Sequence, residues 1–230
     1  MKKMSDILQR IYLFLEYDLG EIGTAIAPLP FIFIVLLIYW FVRRGLQKKK
    51  LGEGFRAARR KALLNETVRL LLVFWALETV CITLFPIWFW TAVWSWLANG
   101  YHWVGELHYI PPKFELTLWR VFTEPEFAEM AIRTGMVIEM AENVLLFIPL
   151  GLGLPLVWKK GNFRRTVIAG LSCTVFIELV QPFISREGTL NDVVCNTLGT
   201  VVGYFVFLSV KSALPTVVEK SRVDISSCLD

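Results

Sequence analysis

The sequence ENVLLFIPLGLGLPLVWKKGNFRRTVIAGLSCTVFIELVQPFISREGTLNDVVCNTLGTVVGY occupies residues 142–204 and decides the fold. It reads as three short hydrophobic helices that carry polar residues which lipid does not tolerate. An ionisable group inside a membrane segment is energetically costly, so it marks a functional site by default. The polar residues of this stretch are Glu142, Asn143, Glu178, Gln181, Arg186, Asp192 and Asn196.

The composition of the whole chain is that of a membrane protein. Its 230 residues are 55% hydrophobic and 19% charged, whereas a soluble domain is about 25% charged. The apolar residues form charge-free blocks of 16 to 21 residues, the length of helix that crosses about 30 Å of hydrocarbon. We therefore predict an all-α fold, a polytopic membrane helical bundle of about five transmembrane helices. A short amphipathic helix is expected to precede them at the membrane interface, in residues 1–21.

The blocks divide the chain into a sequence of spans and connections. The predicted spans are Ile22–Val42, Thr67–Ala98 with a kink at Pro86, Asn143–Trp158, Thr166–Ile184 and Val193–Val210. In terms of larger units, residues 22–98 hold two N-terminal spans joined by a basic cytoplasmic loop, 43–66. An outer loop, 99–138, leads to a three-span core, 139–210, and a polar cytoplasmic tail, 211–230.

The distribution of basic residues predicts the orientation. Residues 43–61 contain nine Lys or Arg and one acid, Glu53. Cytoplasmic loops carry such an excess, which places the N-terminus outside and the C-terminus in the cytoplasm of a multi-pass protein of the cell membrane. The three inner segments then hold sixteen Lys or Arg and the outer segments seven. Basic residues beside apolar blocks, rather than a basic face, argue against nucleic acid as a partner despite the net charge of +4.

Two further patterns concern the outer side. Tryptophans 88, 90, 94 and 96 are expected at the outer interface, where indole rings accumulate. A ligand platform is the alternative role for this aromatic stripe. In the outer loop, Thr123 followed by Glu124, Pro125 and Glu126 predicts the start of a helix. This loop is either a lid or a simple connector.

The polar residues of the opening stretch are expected to meet at one membrane level. Glu178 and Gln181 share a helix face by their i, i+3 spacing, and Asp192 and Asn196 do so at i, i+4. In the predicted topology, both pairs, together with Glu142, Asn143 and Arg186, lie at the outer ends of consecutive spans. Three acids and one Arg leave negative charge, which a metal ion, a proton or a cationic ligand group would balance. Below them, Gly199 and Gly203 have the GxxxG spacing of close helix packing.

At these residues the sequence resembles the VanZ-like family. The elements that carry the resemblance are Glu142-Asn143, LLFIPLG at 145–151, IELVQ at 177–181, Arg186, LNDVVCNTLG at 190–199, Gly203 and Tyr204. Together they cover about residues 139–207. The resemblance implies a cell-envelope protein of Gram-positive bacteria, because the founding member of the family is linked to low-level resistance to teicoplanin, a lipoglycopeptide antibiotic. The family often has an acid where this chain has Thr189, so we assign no metal, and the cofactor is unknown.

Several functions fit this pattern. In a membrane enzyme acting on a lipid-linked envelope substrate, Glu178 or Asp192 would be the general acid or base, and Arg186 would hold a phosphate or carboxylate. The candidate binding residues are Glu142, Asn143, Gln181 and Asn196. A non-catalytic protein would instead bind membrane lipid, a lipid-linked cell-wall precursor or a lipoglycopeptide. A transporter or flippase is the third reading, although no internal repeat supports it.

Overall fold

The computed structural model describes residues 10, 25–85, 87–99, 111–118, 123–133, 135–184 and 186–223. The described helices are α1 (Leu29–Leu51), α2 (Phe55–Lys61), α3 (Leu63–Leu84), α4 (Ile87–Asn99), α5 (Pro125–Arg133), α6 (Met136–Val157), α7 (Phe163–Val180), α8 (Leu190–Ala213) and α9 (Pro215–Ser221). Two short strands, β1 (Lys113–Glu115) and β2 (Glu187–Thr189), accompany them. The predicted amphipathic helix, residues 1–21, lies outside the described residues except for Arg10.

Five of these helices are long and apolar enough to cross a membrane, namely α1, α3, α6, α7 and α8. The prediction of an all-α bundle with about five spans is therefore confirmed. A large share of the apolar side chains on these helices is exposed, for example Phe33 at 62% and Phe176 at 62%. In water such exposure would be costly, whereas in a bilayer these faces contact lipid.

Helix α6 begins well before its predicted start at Asn143. Gly135, with φ of 80°, precedes the first helical residue, Met136. The apolar block predicts only the part of the helix that lies in the apolar layer. The residues before it, including the exposed Glu139 and Glu142, are also helical. The two prolines inside α6 do not end it.

The connection predicted at residues 43–66 is largely helical. Helix α1 continues to Leu51, a 3-10 turn occupies Gly52–Gly54, and α2 and α3 follow with only Ala62 between them. Lys and Arg are good helix formers, so charge moves this segment out of the apolar layer without unwinding it. Arg43 and Glu66 join α1 to α3 through an ion pair of 2.7 Å.

The predicted polar tail also contains a helix, and that helix is docked on the bundle. Val218 and Ser221 of α9 are buried. Arg222 Nε donates to the Pro155 carbonyl at 3.0 Å, and the hydroxyl of Ser221 is shared between the Leu156 carbonyl at 3.1 Å and the Val218 carbonyl of its own helix at 2.8 Å. The Pro155 and Leu156 carbonyls belong to the last turn of α6, where they have no N–H donor within their own helix. The amide of Asn65 donates to the Ser221 carbonyl and attaches the same segment to α3.

The predicted second span is broken at the proline. Helix α3 ends at Leu84, Phe85 is extended, and α4 begins at Ile87. Two of the tryptophans expected at the interface are buried against the start of the first span. Trp94 donates its ring N–H to the Ala27 carbonyl at 3.0 Å, and Trp90 packs on Phe31 with 5.7 Å between ring centroids. These two rings join helices, whereas Trp96 is 55% exposed.

Helices α6 and α8 form the central pair of the bundle and touch through their backbones. A Cβ added to Gly199 would overlap the Val144 carbonyl, and one added to Gly203 would overlap the Ile148 carbonyl and lie 3.0 Å from the Gly151 Cα. No residue larger than glycine fits at this separation. The predicted role of the GxxxG spacing in helix packing is thus confirmed at both positions.

The contacts divide the bundle into two ends. At one end, which we call the site end, Arg186 reaches the carbonyls of the last turn of α3. At the other, the basic end, the first turn of α3 contacts the docked tail helix. The five spans therefore alternate in direction as predicted, and the sequence prediction makes the site end the outer one.

Candidate functional site

Asp192 lies in the first turn of α8 and is held by two neighbours. Its backbone N–H donates to the Thr189 hydroxyl at 3.0 Å, which makes Thr189 the N-cap of the helix. Its carboxylate oxygen Oδ1 accepts a hydrogen bond of 2.7 Å from Asn143 Nδ2 on α6. The structure therefore brings together two of the predicted site residues, on the two helices that pack most closely.

Glu178 is attached to the same N-cap residue from the other side. Its carboxylate oxygen Oε2 accepts the backbone N–H of Thr189 at 2.9 Å. The side chain is only 6% exposed, in the last turn of α7. Thr189 thus bonds to both residues, to the Glu178 carboxylate through its own N–H and to the Asp192 backbone N–H through its hydroxyl. This is the position where the resemblance led us to expect an acid.

Arg186 and Gln181 both bind the C-terminal end of α3. Arg186 Nη1 donates to the Ile82 carbonyl at 2.7 Å and to the Thr83 carbonyl at 3.0 Å. Gln181 Nε2 donates to the same Thr83 carbonyl at 3.2 Å. A cation at a helix C-terminus is favourable because the last carbonyls carry partial negative charge. Arg186 also lies close enough to Glu178 and Asp192 to interact with both electrostatically.

Asn196 lies one turn deeper in α8 and joins it to α7. Its Nδ2 donates to the Thr174 hydroxyl at 2.9 Å, and its backbone carbonyl accepts from the Thr200 hydroxyl at 3.2 Å. All three side chains are buried. They form a ladder of neutral polar contacts below the charged residues, which fixes the rotation of the two helices.

A cavity of about 300 Å³ opens beside Asp192 at the site end. Helices α5 and α6, the two strands and the first turn of α8 surround it. Its lining residues are Lys113, Glu115, Thr117, Phe127, Met130, Met136, Glu139, Met140, Glu187, Thr189, Asn191 and Asp192. Four carboxylic acids and one lysine give this lining an excess of negative charge.

The strands close the cavity on one side. They pair in parallel, with Lys113 opposite Glu187 and Glu115 opposite Thr189. Lys113 Nζ lies 2.7 Å from Glu187 Oε1, and this hydrogen bond raises the pKa of Lys113. The pairing brings strand β1 next to Thr189, the N-cap residue of α8. Phe127 and Met130 of α5, the next helix along the chain, also line the cavity.

Glu142 does not line this cavity. It is exposed on α6, whereas the cavity-lining residues Met136, Glu139 and Met140 belong to the face that also presents Asn143. Residues seven, four and three positions before Asn143 share its face, whereas Glu142, the residue directly before it, points about 100° away. Within the described residues, no group of three or more His, Cys, Asp or Glu side chains is arranged to hold a metal ion.

The sequence model of the VanZ/LLP1 family matches residues 29–211. The chain belongs to this family. The match extends the family region over α1 and α3, beyond the three-span core in which the resemblance was recognised. No curated protein and no solved structure matches the chain.

Sequence reasoning missed the cavity residues that come from outside the family motifs. Lys113 and Glu187 are paired across two strands that lie more than seventy residues apart in the sequence, and no local sequence pattern predicts that pairing. Glu139 could have been found, because it lies four residues before Asn143 and so shares its face. The obstacle was the predicted start of the helix, which fell after Glu139.

Proposed function

We propose that this VanZ/LLP1 family protein acts in the bacterial cell envelope by binding an outer-leaflet envelope molecule in the acid-lined cavity, and that it thereby changes susceptibility to lipoglycopeptides such as teicoplanin. The observation that carries the proposal is the arrangement of Asp192. Its carboxylate is oriented by Asn143 and lines a cavity of about 300 Å³. A cavity of that size admits a head group or a side group of a larger molecule.

The charge of the lining defines what the cavity accepts. Glu115, Glu139, Glu187 and Asp192 supply carboxyl groups, and Lys113 is already paired with Glu187. Such a lining favours an ammonium group or a group rich in hydroxyl and amide donors. Lipid-linked cell-wall precursors and lipoglycopeptides both offer such groups, joined to an acyl or prenyl chain that stays in the membrane.

The test compares two acids at the same end of the molecule. Wild type, Asp192→Asn and Glu142→Gln are expressed in a susceptible Gram-positive host, and the minimal inhibitory concentration of teicoplanin is measured at matched protein levels in the membrane. Asp192→Asn is expected to remove the effect of the protein on susceptibility, and Glu142→Gln to preserve it. An equal loss in both variants, or in neither, would contradict the assignment to the cavity.

A membrane enzyme is the second candidate, and the link through Thr189 favours it. Thr189 accepts the backbone N–H of Asp192 and donates its own N–H to the Glu178 carboxylate, and of these two acids only Asp192 lines the cavity. In this candidate, Asp192 is the general acid or base, and buried Glu178 positions Thr189. Arg186, with Nη1 bound to two backbone carbonyls, has its remaining N–H groups for a phosphate or carboxylate.

Purified protein incubated with labelled lipid-linked precursors distinguishes the two candidates. An enzyme yields a new product with wild type and Glu142→Gln, and none with Asp192→Asn. A lipid pool that stays unchanged in the presence of wild type would eliminate the enzyme, while binding of the same labelled lipid would keep the first proposal.

A further inference from the structure

A second cavity lies at the basic end, far from the site described above. It is a groove of about 820 Å³ between α1, α2 and the start of α3. We call it the basic groove. Its lining residues are Phe41, Arg44, Gly45, Lys48, Phe55, Arg56, Arg59, Arg60 and Leu63. The helices that form it are those that replace the predicted loop, so the groove exists only because this segment is folded.

The charge of the groove has one sign. Five of its nine lining residues are Arg or Lys, and none is Asp or Glu. The nearest paired acid, Glu66, accepts two hydrogen bonds from Arg43, which lies outside the groove. Five cations around one space repel each other unless an anion lies between them. The lining therefore favours a polyanionic or phosphate-bearing occupant.

Aromatic contacts fix two of the guanidinium groups in place. The Cζ atom of Arg44 lies 4.9 Å from the centroid of the Trp40 ring, and that of Arg59 lies 6.0 Å from the same centroid. One ring thus orients an Arg from α1 and an Arg from α2. Guanidinium groups held in this way are prepared for bidentate bonds to phosphate oxygens.

The apolar part of the groove distinguishes a lipid from a free phosphate. Phe55 is buried at its base, whereas Phe41 and Leu63 are 63% and 57% exposed. Ile34, seven residues before Phe41, continues the same face of α1 toward the middle of the span and is 54% exposed. A molecule with its phosphate among the cations would lay its acyl chains along this face.

From these observations we propose that the basic groove is a binding site for the head group of an anionic phospholipid. The phosphate lies among the guanidinium groups of α1 and α2, and the acyl chains run over Phe41 toward Ile34. Basic pockets between membrane helices bind anionic head groups by the same combination of charge and adjacent hydrocarbon. The site is independent of the acid-lined cavity and of the function proposed for it.

The test uses two double variants that lose the same charge at the same end. Arg56→Gln with Arg60→Gln removes two exposed cations from the groove. Lys49→Gln with Lys50→Gln removes two exposed cations that do not line it. Detergent-purified full-length protein is titrated with cardiolipin, phosphatidylglycerol, phosphatidylcholine and inorganic phosphate, and the melting temperature is followed for each.

Cardiolipin and phosphatidylglycerol are expected to raise the melting temperature of wild type and of the lysine variant, while phosphatidylcholine and inorganic phosphate leave it unchanged. In the arginine variant, the apparent affinity for the anionic lipids is expected to fall about tenfold relative to the lysine variant. Equal losses in both variants would mean that only diffuse surface charge attracts lipid, and equal protection by inorganic phosphate would mean a free-phosphate site. Either result overturns the proposal. If the double arginine variant is unstable without lipid, Arg60→Glu repeats the comparison.

Discussion

Replacing Gly199 by alanine tests the backbone contact between α6 and α8. The added Cβ would lie 2.9 Å from the Val144 carbonyl carbon and 3.1 Å from the Phe147 Cβ. Ordinary contacts begin at 3.4 Å, so the carbonyl carbon alone requires the helices to separate by at least about 0.5 Å in an interior that is otherwise close-packed. The Val144 carbonyl oxygen lies nearer still to the added Cβ and requires a larger separation.

Two opposing terms determine the size of the effect. Overpacking a well-filled contact costs about 1–3 kcal/mol, while replacing a helical glycine by alanine favours the helix by about 0.5–1 kcal/mol. The packing term is larger, because backbone atoms cannot rotate away as a flexible side chain would. We expect a net loss of roughly 1–2 kcal/mol in the free energy of unfolding, or a melting temperature lowered by about 2–8 °C.

Gly45 provides the matched control. It lies inside α1, and an added Cβ would meet nothing within 4 Å. At this position only the higher helix propensity of alanine acts, so Gly45→Ala should leave the melting temperature unchanged or raise it slightly. Both variants are heated in the same detergent, and the monodisperse fraction is measured by size-exclusion chromatography. If Gly199→Ala is as stable as Gly45→Ala, the two helices do not touch through bare backbone.

Three other contacts give smaller, separately measurable effects. Ser221→Ala removes a hydroxyl shared between the last turn of α6 and the Val218 carbonyl and should lower the melting temperature by the equivalent of up to about 1 kcal/mol, with Ser209→Ala, whose hydroxyl bonds only within its own helix, as the control. Trp75→Phe removes the ring N–H that donates to the Leu146 carbonyl at 2.6 Å and also part of the ring that packs on Phe147, so the expected loss, measured in the same way, is about 1 kcal/mol for the bond plus the cost of the lost packing. Lys113→Gln should not change the melting temperature measurably, because its ion pair is exposed. Since the pKa of Lys113 is raised, the pair stays ionised as the pH is increased to about 10, and a melting curve series should show no loss assignable to it below that pH.

The number of spans and their alternating direction could be predicted because they follow from local properties. A charge-free block such as Val193–Val210 has only one low-energy state in a bilayer, a helix that bonds all of its own backbone groups. The helix start near Pro125 follows from equally local rules, and α5 begins at that residue. The wrong start predicted for α6 has the same cause. Hydropathy shows only where a helix enters the apolar layer, here at Asn143, whereas the helix itself begins seven residues earlier, at Met136.

The cavity could not be predicted, because long-range contacts create it. Strand β1 reaches Thr189 from a segment that contains no family motif, and no periodicity in either strand identifies the other. An error in where a helix begins also changes which residues are expected at the site. The acid expected there was Glu142, but the face of α6 that presents Asn143 to Asp192 carries Glu139 instead.

The close helix contact and the polar site depend on each other through geometry. Gly199 is seven residues after Asp192 on the same face of α8, and it touches the carbonyl of Val144, the residue that follows Asn143. The glycine contact therefore sets the separation at which Asn143 Nδ2 lies 2.7 Å from Asp192 Oδ1. A displacement of about 0.5 Å stretches this bond to the limit of a good hydrogen bond, and a larger residue breaks it. Gly199→Leu should thus remove the effect on teicoplanin susceptibility that we propose for this protein, even at a membrane protein level equal to wild type, while Gly45→Ala keeps it. If susceptibility stays at the wild-type level in both variants, the orientation of Asp192 does not depend on the helix separation.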